Sequence, residues 1–248
     1  MRVHSAIDGC KSALSRYPRV KKPLQKGYWA LFPSEVHYMR PHPSERREDA
    51  FTQIYSTNEW RAVESKSGSG STMEATAGVR KHLPGLLCDL SVRTFLDAPC
   101  GDFHWMRTIQ LPPGVRYIGA DIVPDLVRKL QEEASGPRYT FMAADIVTGP
   151  LPEADLWMCR ATLFHLPNAD IASVLRRFRG GKVKYVLTTN HNFCHRNLDV
   201  NFGGFRYINL RKPPFNLPKP LRQFDEYGGR GPPCVLALWS REQIPPSL

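Results

Sequence analysis

Three aspartates recur at equal distances in the middle of the chain, each at the end of an apolar stretch typical of a β-strand. Asp97, Asp121 and Asp145 are separated by 24 residues in each case. The carboxyl ends of parallel strands line a single crevice in an open α/β sheet. A carboxylate after the second strand accepts hydrogen bonds from both hydroxyls of a ribose diol, and one after the third suits an adenine amino group. The spacing therefore predicts a crevice for these two groups.

The first of these aspartates belongs to the stretch TFLDAPCGDFHWM, residues 94–106. It predicts a short strand, a tight turn at Gly101 and a helix over 102–109 that Asp102 caps. A turn at the end of a strand that opens onto a helix N-terminus is where α/β sheets bind cofactors. Gly101 lets a ligand approach the backbone closely.

Strands and helices alternate after this stretch, which predicts an α/β fold with a doubly wound parallel sheet and helices on both faces. The last strand is suited to an antiparallel position near the sheet edge. The predicted strands are 94–98, 117–121, 139–143, 155–159, 184–189 and 234–239, and the further helices are 124–133 and 168–178.

The N-terminal flank, residues 1–66, is predicted to be a basic arm that packs on the core and ends in a helix over 51–66. Residues 67–248 form the main domain. The Ser/Gly-rich segment 65–71 is either a flexible linker or a cradle for an anion. Ser71 and Glu74 fit a capping box for a helix from about 72 to 82.

A long insertion, about 190–230, is predicted to be a substrate lid, because structureless segments of this length are usually functional or disordered. Its apolar wall would come from Phe205, Tyr207 and Phe215. An anionic substrate would meet its basic residues, which are Arg206, Arg211 and Lys212.

Composition narrows the class of protein. The chain has 248 residues, 42% of them apolar, and a net charge of +11 that lies mostly in its two flanks. It has no apolar run of about 20 residues, so we expect no membrane partner, and no secretory signal is recognised. Six scattered cysteines without a CxxC pair favour a cytoplasmic protein. His191, Cys194 and His195 lack a fourth ligand with zinc spacing, so no metal is expected.

The motifs give a specific resemblance over about residues 65–240. LDAPCGD resembles the first motif of the class I S-adenosylmethionine-dependent methyltransferases, YIGAD the second and FMAADI the third, while DLWMCRATLFHLP resembles the fourth-strand segment. This resemblance implies a Rossmann-like sheet of seven strands with an antiparallel last strand. It also implies S-adenosyl-L-methionine as the cofactor.

The resemblance assigns roles to individual residues. Asp97 and Gly101 border the methionine moiety, Asp121 the ribose, and Asp145 with Ile146 the adenine, while Cys159 and Arg160 lie beneath the sulfonium. The whole predicted cofactor set is Asp97, Ala98, Pro99, Gly101, Asp121, Ile122, Asp145, Ile146, Cys159 and Arg160. The turn departs from the family pattern, because it keeps a single glycine and Pro99 supplies no N–H.

Two histidines are candidates for a general base, since an imidazole has an intrinsic pKa near neutrality. His165 follows the fourth strand and His191 follows the fifth, and His191 is slightly preferred. A structural role for either histidine stays open. Methyl transfer from a sulfonium depends mostly on alignment, so a weak base is sufficient.

Several functions remain open on the sequence. The preferred hypothesis is an enzyme that methylates oxygen or nitrogen of a small molecule, with an anionic acceptor suggested by the charge. The alternatives are a nucleic-acid or protein methyltransferase, and a non-catalytic binding module on the same scaffold. A dinucleotide dehydrogenase is disfavoured, because the turn lacks the GxGxxG fingerprint.

Overall fold

The computed structural model describes residues 44–226 and 233–248. Most of the predicted basic arm, residues 1–43, lies outside the described residues, and so does the end of the predicted lid, residues 227–230. The arm and the lid therefore stay predictions in those parts.

The described chain builds one seven-stranded sheet in the order β3-β2-β1-β4-β5-β7-β6. All neighbouring strands are parallel except β7, which runs antiparallel to both β5 and β6. The predicted doubly wound α/β sheet with an antiparallel last strand is confirmed. The strands are β1 Thr94–Asp97, β2 Arg116–Asp121, β3 Tyr139–Ala143, β4 Leu156–Cys159, β5 Tyr185–Asn190, β6 Arg222–Asp225 and β7 Val235–Ser240.

The central strands are buried on both faces, because their side chains alternate between two hydrophobic layers. In β1, Phe95 packs into one layer and Leu96 into the other. Met158 and Trp157 divide in the same way in β4. The uniformly apolar runs of the sequence therefore mark the middle of the sheet, where the ends of β1 and β4 lie side by side.

Four α-helices are described: α1 Arg47–Thr57, α2 Ala77–Asp89, α3 Pro124–Ala134 and α4 Asn168–Gly180. The predicted helix over 51–66 was wrong at both ends. It begins earlier, at Arg47, and it ends at Thr57 because Asn58 adopts a left-handed conformation with φ 49°. The helix predicted over 72–82 begins instead at Ala77 and continues past Pro84 to Asp89. Burial of Leu83 and Leu87 holds α2 together on both sides of this proline.

The helix predicted over 102–109 does not form. Phe103 takes a left-handed conformation with φ +57°, and only a short 3₁₀ turn, Met106–Thr108, follows. Asp102 accepts hydrogen bonds from the side chain of Ser65 instead of capping a helix, although its Oδ1 also accepts a bond of 3.3 Å from the N–H of His104. The turn is therefore stabilised by a distant segment and by side-chain burial.

The stretch that follows β5 is folded tightly onto the sheet. Ile208, Leu210 and Phe215 are almost completely buried in the layer that contains Trp157. The strand β6, which the sequence did not predict, emerges from this stretch with a mostly exposed, polar pattern. This part of the predicted lid thus forms the outer wall of the hydrophobic core.

Candidate functional site

The turn after β1 is held against the end of β2 by hydrogen bonds. The N–H of Cys100 donates to the carbonyl of Ala120 (2.8 Å), and the N–H of Gly101 donates to Oδ2 of Asp121 (3.0 Å). Gly101 has φ +56°, which glycine adopts without strain. The single glycine of the turn therefore stands at a position with a left-handed backbone conformation.

Asp121 presents a buried carboxylate, and each of its oxygens accepts a backbone N–H. Oδ1 accepts the N–H of Val123 at 3.1 Å, and Oδ2 accepts the N–H of Gly101. Burial raises the pKa of this carboxyl, while backbone hydrogen bonds from Val123, Gly101 and Ile122 oppose the rise. Because a carboxylate has about four acceptor sites, this group is able to accept hydrogen bonds from a vicinal diol as well.

Asp97 is 2% exposed at the end of β1 and accepts a hydrogen bond of 2.8 Å from the hydroxyl of Tyr117. Burial raises its pKa to about 7, although the bond from Tyr117 and the nearby charge of Arg160 act in the opposite direction. A buried carboxyl of this kind gains from a cationic ligand, because the ligand compensates for the lost hydration.

One carboxylate oxygen of Asp145 binds Arg47, a residue for which the sequence analysis predicted no role in the site. Arg47, the first residue of α1, donates to Oδ2 of Asp145 through Nε (3.2 Å) and Nη2 (2.8 Å), and to Asp170 through Nη1 (3.2 Å). Burial by itself raises the pKa of Asp145, yet the bonds from Arg47, Thr148 and the backbone hold it below its ordinary value. Asp145 is therefore ionised and fixes the start of α1 over the sheet edge.

The Ser/Gly segment 65–71 lies on top of the β1 turn. Ser65 donates to both carboxylate oxygens of Asp102 at 2.9 and 2.8 Å, and Ser67 Oγ accepts the N–H of Asp102 at 2.8 Å. Glu64 accepts the N–H of Met73 and contacts His104 at 2.9 Å. These contacts hold the segment against the turn, which contradicts the flexible linker, while the anion cradle stays a prediction.

A deep cleft, part of it open to solvent, lies between the strand ends and this cover. The strand ends and their loops form the floor, whereas α1 and the segment after it form the roof. Its aromatic and aliphatic lining comes largely from Phe51, Ile54, Tyr55, Trp60, Trp105, Ile122, Val123, Leu126, Ile146, Val147 and Leu166.

Most of the predicted cofactor residues meet in this cleft. They are Asp97, Pro99, Gly101, Asp121, Ile122, Asp145, Ile146 and Arg160. Ala98 and Cys159 are not in its lining: Ala98 is fully buried, and Cys159 is 1% exposed on the side of the second hydrophobic layer. Burial raises the pKa of the Cys159 thiol, which is consistent with a packing role.

Arg160 extends from the end of β4 into the cleft wall. Its Nε donates to Glu226, and Nη2 donates to the carbonyl of Gly70 at 2.7 Å. The guanidinium carbon lies 5.2 Å from the ring centroid of Trp105, within the range of a cation–π contact. Burial raises the pKa of Glu226, while the charge and hydrogen bond of Arg160 lower it in part.

The two candidate bases occupy different places. His165 lines the cleft, whereas His191 is buried outside the lining and accepts the N–H of Ile208 at Nδ1 (3.2 Å). His165 donates from Nδ1 to the carbonyl of Gly204 at 2.7 Å, which leaves Nε2 as its acceptor. Burial lowers the pKa of each imidazole to about 4. The geometry therefore favours His165 as the candidate base.

The residues proposed for the lid lie elsewhere. Phe205 and Tyr207 stack edge-to-face in an aromatic cluster beside His165 and His191. Arg206 is 1% exposed and donates to the carbonyls of Leu163 and Leu198 and to Asn168. None of the lid residues named from the sequence lines the cleft of the described chain: Phe205, Arg206, Tyr207, Arg211, Lys212 and Phe215.

The sequence analysis missed the residues that form the roof and support the wall. Arg47 and Glu226 contact Asp145 and Arg160 from 98 and 66 residues away, and no local pattern signals such pairs. The aromatics of α1 gave a signal in their helical spacing. That spacing indicated a buried face without showing that the face covers a site.

Two further features concern residues 44–226 and 233–248. No cluster of three or more His, Cys, Asp or Glu side chains there is arranged to hold a metal ion. Within the same ranges, the helices are too short or too polar to cross a bilayer.

Comparison with known families matches residues 95–181 to the family described as methyltransferase domain. No curated protein matches the chain in sequence. Among solved structures, the chain is similar to human N-acetylserotonin methyltransferase in complex with SAM, at a TM-score of 0.54 and 16% identity over 86% of this chain and 62% of the other. It is also similar to a protein described as PigF with SAH, at a TM-score of 0.55 and 16% identity over 79% and 63% of the two chains.

A third similar structure is magnesium protoporphyrin IX methyltransferase of Synechocystis PCC 6803 with bound SAH. Its TM-score is 0.51 at 15% identity, over 78% of this chain and 97% of the other. The chain spans less than two thirds of the length of the first two structures. The resemblance to class I S-adenosylmethionine-dependent methyltransferases is thus confirmed by the fold and by the family match of residues 95–181.

Proposed function

We propose that this class I methyltransferase binds S-adenosylmethionine in the cleft above β1 and transfers its methyl group to oxygen or nitrogen of a small-molecule acceptor. The observation that carries the proposal is the enclosure of the strand-end carboxylates. Asp97 and Asp121 are 2% and 6% exposed, beneath a roof formed by α1 and the segment 60–71. A roofed cleft with a largely apolar lining and a few buried carboxylates suits a nucleoside cofactor with a small acceptor better than a polymer.

The residues present fit the cofactor. The carboxylate of Asp121 accepts the ribose hydroxyls beside its backbone contacts, and the buried carboxyl of Asp97 accepts the ammonium of the methionine moiety. Ile122, Val123 and Leu126 supply apolar contacts beside the floor for the adenine ring. When bound, the cofactor supplies an activated methyl group on a sulfonium.

The chain itself would align the acceptor and receive its proton. His165 has Nε2 as its acceptor atom and lies beside Trp60, whose ring centroid is 5.0 Å away at an interplanar angle of 21°. Because its pKa is about 4, the imidazole is neutral at physiological pH. As a weak base, it is able to accept the proton of a hydroxyl acceptor, because the pKa of that hydroxyl falls steeply as its oxygen is methylated.

The test begins with calorimetric titration of the protein with S-adenosylmethionine and S-adenosylhomocysteine. Asp121→Ala should abolish binding while circular dichroism shows an unchanged fold. The matched control is Asp125→Ala, which removes an exposed carboxylate of α3, whose side chain is 73% exposed. If the wild-type protein binds neither ligand, or if Asp121→Ala binds like wild type, the assigned site is wrong.

Transfer of labelled methyl groups then identifies the acceptor class. Anionic small molecules are screened first, followed by neutral ones, with oligonucleotides and peptides as separate arms. We expect turnover with a small molecule that His165→Asn reduces. Turnover with a polymer alone would contradict the small-molecule proposal, and cofactor binding without any turnover would favour a binding module.

A further inference from the structure

The roof of the cleft lies over the strand ends in a regular order. Arg47, the first residue of α1, binds Asp145 after β3 at 2.8 Å. Further along α1, burial raises the pKa of Tyr55, and the nearby charges of Asp102 and Asp121 add to the rise. The proposed ribose and adenine contacts therefore lie under α1. The inference below rests on this proposed cofactor site.

The segment after α1 covers a different part of the floor, the loop 161–166 that follows β4. Trp60 stacks on His165 of this loop, with ring centroids 5.0 Å apart and an interplanar angle of 21°. Other residues of the loop line the cleft as well. We call the space between Trp60 and this loop the acceptor compartment, because the proposed ribose and adenine contacts lie elsewhere.

The acceptor compartment offers few polar groups to a ligand. The hydroxyl of Thr162 donates to the carbonyl of Arg160 at 2.9 Å, and the N–H of Ala161 donates to the hydroxyl of Thr189 at 2.9 Å. His165 is the one titratable residue of the loop, and its Nδ1 is used by a backbone carbonyl. Its Nε2 makes no hydrogen bond within the described chain and is therefore free to receive one from a ligand.

The arginines that line the cleft are already paired with carboxylates. Arg47 binds both Asp145 and Asp170. Arg160 binds the buried carboxylate of Glu226. None of the basic residues that the sequence analysis placed in the lid lines the cleft in the described ranges. An anionic acceptor would lose its hydration without gaining an unpaired cation, so the compartment suits an uncharged acceptor.

Packing alone does not explain the tryptophan at position 60. The backbone of the roof lies close to its ring, because a Cβ at Gly68, which has φ +98°, would stand 3.1 Å from Cε3 of Trp60. The indole Nε1 is buried, yet it has no hydrogen-bond partner in the part of the chain that the structure describes. A buried donor without a partner lowers stability. A phenyl ring would pack without this penalty, which indicates that the indole serves a ligand.

Aromatic side chains bind flat aromatic ligands through offset-stacked or edge-to-face contacts. Trp105 adds a second ring to the lining, and this ring packs on Arg160, the residue before the loop. We propose that the acceptor is an uncharged aromatic alcohol whose ring packs against Trp60 and whose hydroxyl donates to Nε2 of His165. On transfer, the oxygen forms the bond to the methyl carbon, the carbon–sulfur bond breaks towards sulfur, and the hydroxyl proton passes to Nε2.

The test measures binding separately from chemistry, on protein saturated with S-adenosylhomocysteine. The probes are 2-naphthol, its saturated counterpart 2-decalol and the anion 6-hydroxy-2-naphthoate, each titrated by calorimetry. 2-Naphthol should bind about 2- to 10-fold more tightly than 2-decalol, which is the range of a ring–ring contact. It should bind about tenfold or more tightly than the naphthoate, because a buried carboxylate would lack a cation. With S-adenosylmethionine, labelled methyl groups should appear in 2-methoxynaphthalene.

Trp60→Leu should bring the ratio of the 2-naphthol and 2-decalol affinities close to 1. Trp60→Phe keeps a ring and removes the unpaired N–H, so it should keep most of the ratio without loss of thermal stability. The matched control is Tyr185→Leu, which removes a half-buried ring at the start of β5, the end of that strand away from the cleft. It should keep the wild-type ratio. Affinity for S-adenosylhomocysteine reports in every variant that the cofactor site is folded.

A wild-type ratio close to 1, tighter binding of the naphthoate, or an unchanged ratio in Trp60→Leu would overturn the inference and leave the proposed function intact. The same holds if a protein that binds S-adenosylhomocysteine binds none of the probes, or binds 2-naphthol without methylating it. Lower thermal stability of both Trp60 variants at an unchanged ratio would assign Trp60 to packing and overturn the inference. Failure of the wild-type protein to bind S-adenosylhomocysteine would overturn the proposed function as well.

Discussion

Affinity for the cofactor should fall as the pH drops below about 7, because its ammonium requires an ionised Asp97. Burial raises the pKa of this carboxyl to about 7 in the free protein, against the hydrogen bond from Tyr117 and the charge of Arg160. Below that pH the free protein holds a proton on Asp97, and binding of a cation must release it. Above that pH the carboxylate is already ionised and no proton is released.

The magnitude follows from the pKa. Each pH unit below the pKa costs about 1.4 kcal/mol, or a factor of about 10 in affinity. With the pKa of Asp97 at about 7, affinity for S-adenosylhomocysteine should be about tenfold lower at pH 6 than at pH 8. The sign for folding is also fixed: a raised pKa gives stability to the free protein at acidic pH, and this stability is lost as the pH rises through about 7.

The assay is calorimetric titration with S-adenosylhomocysteine from pH 5.5 to 8 in pairs of buffers with different ionisation enthalpies, which counts the released protons. About one proton should be taken up by the buffer at pH 6 and almost none at pH 8. Asp97→Asn should bind more weakly by about 2 kcal/mol or more at pH 8. Its affinity should no longer depend on pH in this range.

Tyr117→Phe provides an independent check, because it removes the hydrogen bond that stabilises the ionised carboxylate. The midpoint of the pH profile should move upwards by roughly one to two units, which is the effect of a bond to a charged group. A flat profile for the wild-type protein would refute the reasoning. So would a profile that persists in Asp97→Asn, since another group would then titrate.

Three further predictions concern the roof and wall of the site. Gly101→Ala should lower stability by about 1–2 kcal/mol through the positive φ of this position. It should lose more through a clash with Ser67 Oγ, which lies 2.4 Å from where the new Cβ would stand. Gly114→Ala, at φ +82° with open space around its Cβ position, measures the backbone effect alone in thermal unfolding. Equal losses in the two variants would exclude the contact. Arg47→Met should release S-adenosylhomocysteine several-fold faster in stopped-flow measurements, because α1 loses its ion pairs to Asp145 and Asp170. Unchanged release would show that α1 is held by packing alone. Arg206→Met should lower stability by about 2 kcal/mol, because the buried carbonyl of Leu163 and two partly buried acceptors lose their donor. A raised KM for the acceptor without loss of stability would restore Arg206 to the substrate site.

Local pattern was sufficient for the floor of the site. The apolar runs before Asp97 and Asp121 are strands because their side chains fill two hydrophobic layers, and parallel strands bring their ends to one edge. The glycine in the turn also followed from the sequence, because a close approach of backbone and ligand favours that residue. The fold class and most of the predicted cofactor residues followed from these features.

Boundaries were less accurate where distant contacts outweigh local propensity. The helix expected after Asp102 is replaced by a 3₁₀ turn, since Ser65 binds the capping carboxylate. The strand β6 was missed because RQFD is mostly exposed and shows no apolar alternation. In both cases the deciding neighbour lies far away in the sequence.

The roof and the charged wall were decided by tertiary structure alone. Arg47 meets Asp145 across 98 residues, and Arg160 meets Glu226 across 66. His165 faces the cleft while His191 is buried among aromatic rings, although both follow a strand end. A sequence determines which strands end in carboxylates, because periodicity is local. Which arginine, histidine or aromatic ring faces them depends on how separate elements pack, and packing is a property of the folded chain.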